Sequence, residues 1–387
     1  MTVFSNGWRN SIVAIALVLS CTVPGIAQER RVYSPPDLSS VSAFRAEHGM
    51  VVAQEKLAAE VGADILRQGG NAVDAAVATG FAMAVTYPRA GNIGGGGFMV
   101  IHSADRGQDV AIDYRETAPA AMTSDIFLGP DGKPDTDKSR NSALGIGVPG
   151  TVAGLALALE KYGSGQFTLA QILEPAVALA RDGFVVTDDM GDTLSDMYRR
   201  MSRWPGSARS FSRDDGTPLR DGDRLVQADL AATLSAIATQ GPRGFYEGPV
   251  AEKLAAGVRA AGGIMTAGDL KGYEAIIRSP VRGSYRGYDI VSMPLPSSGG
   301  TVLLETLNIL EGFPLGDMKQ GSASSLHLLI EAMKRAYADR ARYLGDPAYV
   351  SAPADILISK DYAARQRAGI DLARAAPAET LTVKPPR

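Results

Sequence analysis

The apolar residues of this chain recur with two periods, and these periods predict an alternation of helices and strands. Leu57, Val61 and Ile65 recur every fourth residue, as on one face of a helix. The same argument, with capping residues at one end and glycine or proline at the other, predicts helices over residues 56–68, 72–85, 152–161, 168–181, 227–239 and 249–260, a short helix opened by Thr266 and Asp269, and a long helix from Ser322 or Ser324 to Leu344. Apolar or alternating runs predict strands at 50–53, 98–102 and 110–114 and a strand–turn–strand over 281–293 around Arg286-Gly287.

Two of the predicted helices have distinctive surfaces. Ala72–Val85, which follows a capping Asn71 with Asp74 three residues on, is apolar on every side, and such a helix belongs inside a protein. The long helix is amphipathic, with one face made of Leu326, Ile330, Met333, Tyr337 and Leu344. Residues 129–142 are polar and predict a loop.

Composition and charge exclude several classes of protein. The chain has 387 residues, a net charge of −3 and 45% hydrophobic residues, so it can bury a large core and is unlike a disordered segment. No basic stripe or block of like charge is present, and a nucleic acid partner is therefore not expected. After the first 27 residues no apolar run is long enough to cross a membrane.

The N-terminus has the pattern of an export signal. Arg9 precedes the apolar run Ile12–Leu19, and Gly25-Ile26-Ala27 supplies the small residues of a cleavage site before Gln28. The run is short for a membrane anchor, and processing as a lipoprotein at Cys21 is disfavoured because Leu19 is not small. We therefore expect a signal peptide at 1–27 and an exported, periplasmic protein whose mature chain has no cysteine, and hence no disulfide.

The rest of the chain divides into three parts. Residues 28–47 read as an exposed lead-in with Pro35-Pro36 and a serine cluster, residues 48–375 as the folded body, and residues 376–387 as a linker rich in alanine, threonine and proline.

Four consecutive glycines, Gly94–Gly97, form the most conspicuous motif. A phosphate cradle needs the order strand, glycine loop, helix, whereas here the predicted order is helix, glycine loop, strand, and Met99 stands where a dinucleotide fingerprint needs glycine. We expect the glycines to allow positive φ angles and close approach of the backbone instead.

The usual signatures of hydrolytic and metal sites are missing from the sequence. There is no G-x-S-x-G motif, and His48, His102 and His327 do not have the spacing of metal ligands. His327 is expected to pack or cap. The loop Ser297–Gly300 suits an active-site loop or a plain turn before a helix. No catalytic residue, metal ligand or cofactor is predicted in this chain.

Arg115 is the candidate binding residue. It follows the predicted strand 110–114, and an arginine at a strand end can offer two parallel N–H donors to a carboxylate. An ion pair with Asp113 or Glu116 explains it equally well, so its position alone leaves both readings open.

Several motifs, in order along residues 48–375, resemble those of the γ-glutamyltranspeptidase family. They are Asn71–Ala78 (NAVDAAVA), Gly91–Phe98 (GNIGGGGF), Asp113–Glu116 (DYRE), Gly147–Gly154 (GVPGTVAG), Met293–Gly300 (MPLPSSGG) and Tyr337–Arg340 (YADR). One departure is Leu295, where the family often has proline. Collinear motifs of this density are far more specific than any one of them.

The resemblance implies an α/β (α+β) fold, the four-layer αββα sandwich of the N-terminal-nucleophile hydrolases, of which this chain would be the large-subunit half. In that family a precursor cuts itself, and the new N-terminal threonine of the small subunit is the nucleophile. The large-subunit arginine that holds the α-carboxylate of the γ-glutamyl group corresponds to Arg115.

The family's Thr-Thr-His-type junction is not found in this sequence, and Thr380 and Thr382 do not match it. We therefore expect the chain alone to be inactive and to need a threonine-bearing small subunit as its partner in a heterodimer. The implied substrates are glutathione or other γ-glutamyl compounds, with water, an amino acid or a peptide as acceptor, and no cofactor. A same-family acylase of glutaryl or cephalosporin type and a truncated non-catalytic product are the alternatives.

Overall fold

The computed structural model describes residues 42–381, and regular structure begins at Lys56. The predicted signal peptide, Cys21, most of the lead-in and the last residues of the linker lie outside the described residues. The domain boundaries therefore stay predictions.

Helices account for most of the regular structure. In the described part of the chain the α-helices are α1 Lys56–Arg67, α2 Ala72–Thr86, α3 Thr136–Asn141, α4 Thr151–Tyr162, α5 Leu169–Asp182, α6 Asp188–Met201, α7 Pro205–Phe211, α8 Ala228–Gln240, α9 Arg243–Tyr246, α10 Gly248–Ala260, α11 Ala267–Lys271, α12 Gly299–Glu311, α13 Ala323–Tyr343, α14 Ala354–Leu357 and α15 Lys360–Ala368. Short 3₁₀ helices lie at Ala143–Gly145, Leu315–Asp317 and Ala378–Thr380. No helix among these is long and apolar enough to cross a bilayer.

The strands form small antiparallel sheets. They are β1 Gly97–Ser103, β2 Gln108–Tyr114, β3 Phe184–Val185, β4 Arg224–Leu225, β5 Ile276–Arg278, β6 Val281–Tyr285 and β7 Tyr288–Ser292. The largest sheet has the order β1-β2-β5, with Gly97 opposite Tyr114 and Asp113 opposite Ile276. The other sheets are the pairs β3-β4 and β6-β7.

Helix α2 is the centre of the larger core, as its apolar sequence predicts. The Asn71 side chain accepts from the N–H groups of Val73 and Asp74, and the Asp74 carboxylate accepts from the Asn71 N–H, which confirms the predicted capping box. Phe81 and Val77 are fully buried. Around α2 pack α1, α4 and α5, and α4 also covers β1 and β2.

A smaller core lies between α12, α13 and α15. Its apolar part is built from Ile309, Leu310, Leu328, Ala332 and Ala363. Beside it lies a buried polar layer, in which Arg335 pairs with Glu331 at 2.7 Å. The strands β6 and β7 lie against α12.

The turn between β6 and β7 confirms the predicted strand–turn–strand. Arg286 and Gly287 have φ angles of 50° and 85°. Two consecutive residues with positive φ form the two-residue hairpin turn that matches the twist of the strands, and glycine adopts this conformation at little cost.

Two predictions of local structure are wrong. Residues 50–53 do not pair with any strand in the described residues; Val51 packs on the larger core instead, while Val52 is 83% exposed. Residues 129–142 are not wholly a loop, since Asp135 caps the short helix α3 through the N–H groups of Asp137 and Lys138.

Candidate functional site

A polar cleft of about 660 Å³ lies among residues of β2, β5, the segment before α12 and the end of α13. The lining residues come from the end of β2, from β5 and the segment leading into it, from the segment just before α12, and from the end of α13 with the residues after it. The lining residues are Asp113, Arg115, Glu116, Thr117, Tyr273, Glu274, Ile276, Arg278, Pro296, Ser297, Ser298, Arg340, Ala341, Leu344, Gly345, Asp346, Ala348 and Tyr349.

Arg115 lines this cleft. The carboxylate of Asp113, two residues earlier, is already bound to other groups of the protein. Asp113 is buried, with its Oδ2 atom 2.8 Å from Nε of Arg278 on β5. Its Oδ1 atom accepts from the backbone N–H of Arg115 at 3.1 Å. Within residues 42–381 the Arg115 guanidinium makes no ion pair, with Asp113, with Glu116 or with any other carboxylate. The structure therefore does not show the ion pair with Asp113 or Glu116 that was one of the two interpretations of Arg115.

Glycines hold the backbone on either side of Arg115. A Cβ atom at Gly96 would lie 2.5 Å from the carbonyl oxygen of Tyr114 and 2.8 Å from the nitrogen of Glu116. A Cβ at Gly147 would lie 2.9 Å from Cβ of Glu116, and a Cβ at Gly154 would lie less than 3.0 Å from the ring of Tyr114. These contacts explain why two glycine-rich motifs far apart in the sequence meet at residues 114–117.

Close approach accounts for three of the four glycines 94–97, since a Cβ would lie under 3.0 Å from a neighbouring atom at Gly95, Gly96 and Gly97 but would meet nothing within 4 Å at Gly94. None of the four has a positive φ, so that part of the prediction is wrong. Their backbone is used directly, because the carbonyl of Gly95 accepts from the N–H groups of Gly150 at 2.7 Å and of Thr151 at 3.1 Å. The glycine loop is thereby tied to the start of α4.

Two tyrosines complete the support behind Arg115. The Tyr273 hydroxyl donates to the carbonyl oxygen of Arg115 at 2.8 Å. The ring of Tyr273 stacks on Tyr246, whose hydroxyl donates to the carbonyl of Pro149 at 2.9 Å. Burial raises the pKa of both phenols above the usual value, so both stay protonated and can donate.

The loop Ser297–Gly300 and the motif Tyr337–Arg340 meet at the cleft through Ser298 and Arg340. Ser297 Oγ accepts from the N–H of Gly299 at 3.2 Å, and Ser298 Oγ accepts from Nε of Arg340 at 2.8 Å. The sequence alone does not assign Arg340 to a site. What could have pointed to Arg340 is that the motif that contains it and the motif that contains Ser298 both resemble motifs of the family named above.

The histidines are placed away from this cleft. His102 pairs with Asp109 at 2.6 Å on the exposed side of the sheet. His327 lies 2.8 Å from the carbonyl oxygen of Asp371, which agrees with its expected packing role. In the part of the chain that the structure describes, neither histidine nor cysteine lines the cleft.

The comparisons with known proteins agree with one another. The family model described as "Gamma-glutamyltranspeptidase" matches residues 58–386. A "Glutathione hydrolase proenzyme" of Escherichia coli K12 is 48% identical over 337 residues, which are 87% of this chain and 58% of that protein. An "Acylase ACY 1 proenzyme" of Pseudomonas sp. strain V22 is 42% identical over 333 residues, 84% of this chain and 59% of that protein.

A solved structure extends the likeness to the fold. The γ-glutamyltranspeptidase of Helicobacter pylori superposes with a TM-score of 0.85 and 42% identity, over 88% of this chain and 97% of that chain. The chain therefore has the fold of the N-terminal-nucleophile hydrolases, as the motifs predicted. It belongs to the γ-glutamyltranspeptidase family, and it spans about 58% of the length of the E. coli relative.

Proposed function

We propose that this chain is the large-subunit part of a γ-glutamyltransferase. The enzyme cleaves the γ-glutamyl amide of glutathione and related compounds and transfers the γ-glutamyl group to water or to an amino acid or peptide acceptor. In this chain Arg115 binds the α-carboxylate of the γ-glutamyl group. The observation that carries the proposal is an arginine in a cleft, without a carboxylate partner among the described residues, on a backbone held by glycines and tyrosines. Such a guanidinium can form two parallel charge-assisted hydrogen bonds with a carboxylate.

The nucleophile is proposed to be the N-terminal threonine of a small subunit. The cleft hydroxyls of this chain support that assignment, since Ser297 and Ser298 bond to a backbone N–H and to Arg340 and have no histidine beside them. An N-terminal threonine carries its own base, the α-amine. Its oxygen attacks the amide carbon to form an acyl-enzyme, which water or an amine then resolves. Arg115 fixes the donor so that its carbonyl is within reach of that oxygen.

The partner and location follow from the same proposal. The small subunit forms a heterodimer with this chain, and the relatives named as proenzymes support such processing. The N-terminal pattern of residues 1–27 supports export to the periplasm.

The proposal is tested on the complex of this chain with its threonine-bearing small subunit. Arg115→Ala should raise KM for γ-glutamyl-p-nitroanilide by roughly a hundredfold, because a charge-assisted pair contributes up to about 3 kcal/mol. Arg259→Ala, on the exposed face of α10, is the matched control and should behave as the wild type. An unchanged KM for Arg115→Ala would contradict the binding role, and turnover by the chain without the small subunit would contradict the assigned nucleophile.

A same-family acylase is the second candidate. The 42% identity to a protein named as an acylase favours it, and a glutaryl side chain also ends in a carboxylate that Arg115 could bind. Glutaryl-p-nitroanilide differs from the γ-glutamyl substrate only in lacking the α-amine. A higher kcat/KM for the glutaryl substrate would favour the acylase.

A further inference from the structure

We propose that Arg340 and Ser298 form a second carboxylate-binding subsite in the cleft, which takes the C-terminal carboxylate of a peptide γ-glutamyl donor. The subsite rests on the proposed function of the cleft, because Arg115 holds the first carboxylate of the same donor. Arg115 directly follows β2 and Arg340 lies near the end of α13, and both line the same cleft of about 660 Å³.

The guanidinium of Arg340 is positioned through one of its three nitrogens. Nε donates to Ser298 Oγ at 2.8 Å, and Cζ lies 6.0 Å from the centre of the Tyr337 ring, one turn earlier on α13. Within residues 42–381 no carboxylate pairs with Arg340. A carboxylate can therefore approach the two Nη groups while Nε stays bound to Ser298.

Ser298 serves Arg340 instead of its own helix. It precedes α12, where a serine commonly caps the helix through its hydroxyl, but here its side chain makes no capping bond. The hydroxyl accepts from Arg340, and its own proton stays available to a ligand oxygen. A hydroxyl and a guanidinium side by side are a suitable pair for a carboxylate.

The last turn of α13 is anchored on its buried side. Asp339, next to Arg340, accepts from the Tyr362 hydroxyl at 2.7 Å and from the Gln366 amide at 2.8 Å. These bonds to α15 fix the rotation of the helix, so Arg340 faces the cleft. An arginine held in this way loses little conformational freedom on binding.

Two of the three arginines that line the cleft have no carboxylate partner among the described residues and can bind a ligand. Arg278 is paired with Asp113, which leaves Arg115 and Arg340. The other acids of the cleft are Glu116 and Glu274, next in sequence to Arg115 and Tyr273, and Asp346, whose Oδ1 atom accepts from the N–H of Ala348 at 2.9 Å. Glutathione carries one carboxylate on its γ-glutamyl end and one on its C-terminal glycine. It therefore matches two separate guanidinium groups, whereas a γ-glutamyl anilide matches only one.

The test compares glutathione with its C-terminal amide, as donors for the complex of this chain with its small subunit. The wild type should prefer the acid, measured as the ratio of the two kcat/KM values. Arg340→Gln should lower that ratio at least tenfold, and Ser298→Ala should lower it by a smaller factor. Arg342→Gln is the matched control, since Arg342 lies two residues further along α13, stacks over Tyr343 and does not line the cleft.

The outcomes separate this inference from the proposed function. Arg115→Ala should reduce turnover of both donors and keep the ratio. A wild type without preference for the acid, or an Arg340→Gln complex that keeps the wild-type ratio, would overturn the subsite while Arg115 retains its role. If Arg340→Gln does not assemble, Arg340→Lys keeps the charge and the stem but not the planar fork, and it should lower the ratio at least threefold; an unchanged ratio would overturn the subsite.

Discussion

Glu305 is a buried acid that the sequence does not distinguish from other glutamates on helices. It lies on α12, is 1% exposed and faces Asp339 of α13 and Tyr362 of α15. Burial, together with a hydrogen bond to Asp339, raises the pKa of Glu305 well above its usual 4.5. The raised pKa favours the protonated form of Glu305 in the folded protein, in which its O–H can donate to the side chain of Asp339.

This protonation makes stability depend on pH. The folded protein holds the proton above pH 4.5, where the unfolded chain has lost it, so the contribution of Glu305 is complete below about pH 4.5 and is lost as the pH rises towards the raised pKa. The loss amounts to about 1.4 kcal/mol per pH unit. Glu305→Gln, which can also donate to Asp339 and does not titrate, should match the wild type near pH 4.5 and become progressively more stable by comparison up to pH 8.

Thermal unfolding of both proteins across this pH range measures the difference. Glu252→Gln, at an exposed position of α10, is the control and should parallel the wild type. A constant difference between Glu305→Gln and the wild type would show that Glu305 is ionised in the folded protein.

At the scale of elements, the contact of α4 with β2 decides where Arg115 lies. Gly154 on α4 presses its backbone against the ring of Tyr114, the last residue of β2. The backbone of α4 can approach the strand only because no side chain separates them. The residue after Tyr114 is Arg115, so this packing positions the proposed binding residue without touching it.

Gly154→Ala should be destabilising although alanine favours helices. The added Cβ would overlap the Tyr114 ring, and overpacking of this kind costs about 1–3 kcal/mol, more than the roughly 1 kcal/mol gained in helix propensity. Gly257→Ala is a matched control in α10, where a Cβ meets nothing within 4 Å, and it should be stabilising by about 0.5–1 kcal/mol. Chemical denaturation measures the change in the free energy of unfolding of each variant. Equal changes for the two variants would contradict the packing argument.

At the scale of the whole molecule, apolar side chains remain exposed on two elements that flank the cleft. Leu326, Ile330, Met333 and Tyr337 form an exposed stripe along α13, with Ile330 54% exposed. On the sheet β1-β2-β5, Val100 and Ile276 lie on one face by register and are each more than 40% exposed. Contiguous exposed apolar surface is common at protein interfaces. We assign it to the proposed small subunit.

Ile330→Glu should weaken assembly with the small subunit by at least tenfold, because it places a charge within the exposed apolar stripe that we assign to the small subunit. The stability of the chain itself should change by less than about 0.5 kcal/mol, since the side chain is exposed. Met197→Glu, at another exposed apolar position, on α6, is the control. The fraction of the chain that elutes as heterodimer after co-expression measures the effect. Equal fractions for the two variants would contradict a contact between the α13 stripe and the small subunit.

The helices with strong local signals could be predicted from the sequence almost to the residue. Asn71 with Asp74 and Thr168 with Gln171 form the capping boxes that their spacing implies, and Ser322 caps α13. The strand predicted at residues 50–53 does not form, because a β-prone run becomes a strand only if another strand lies beside it. The orientation of α13 could not be predicted, because its larger apolar side chains form an exposed stripe. Its buried face combines three apolar and three charged residues, namely Leu328, Ala332, Ala336, Glu331, Arg335 and Asp339.

What the sequence determined by itself was local and collinear: the capped helices, the hairpin at Arg286-Gly287, and the series of motifs that identifies the family and singles out Arg115. Only the tertiary structure decided which charges are paired. Asp113 is next but one to Arg115 in the chain, yet its side chain pairs with Arg278, 165 residues away. Arg340 reaches the same cleft from a different core. Ion pairing depends on distances of a few ångströms between side chains, and those distances are set by packing of glycines, tyrosines and buried carboxylates that are remote in sequence.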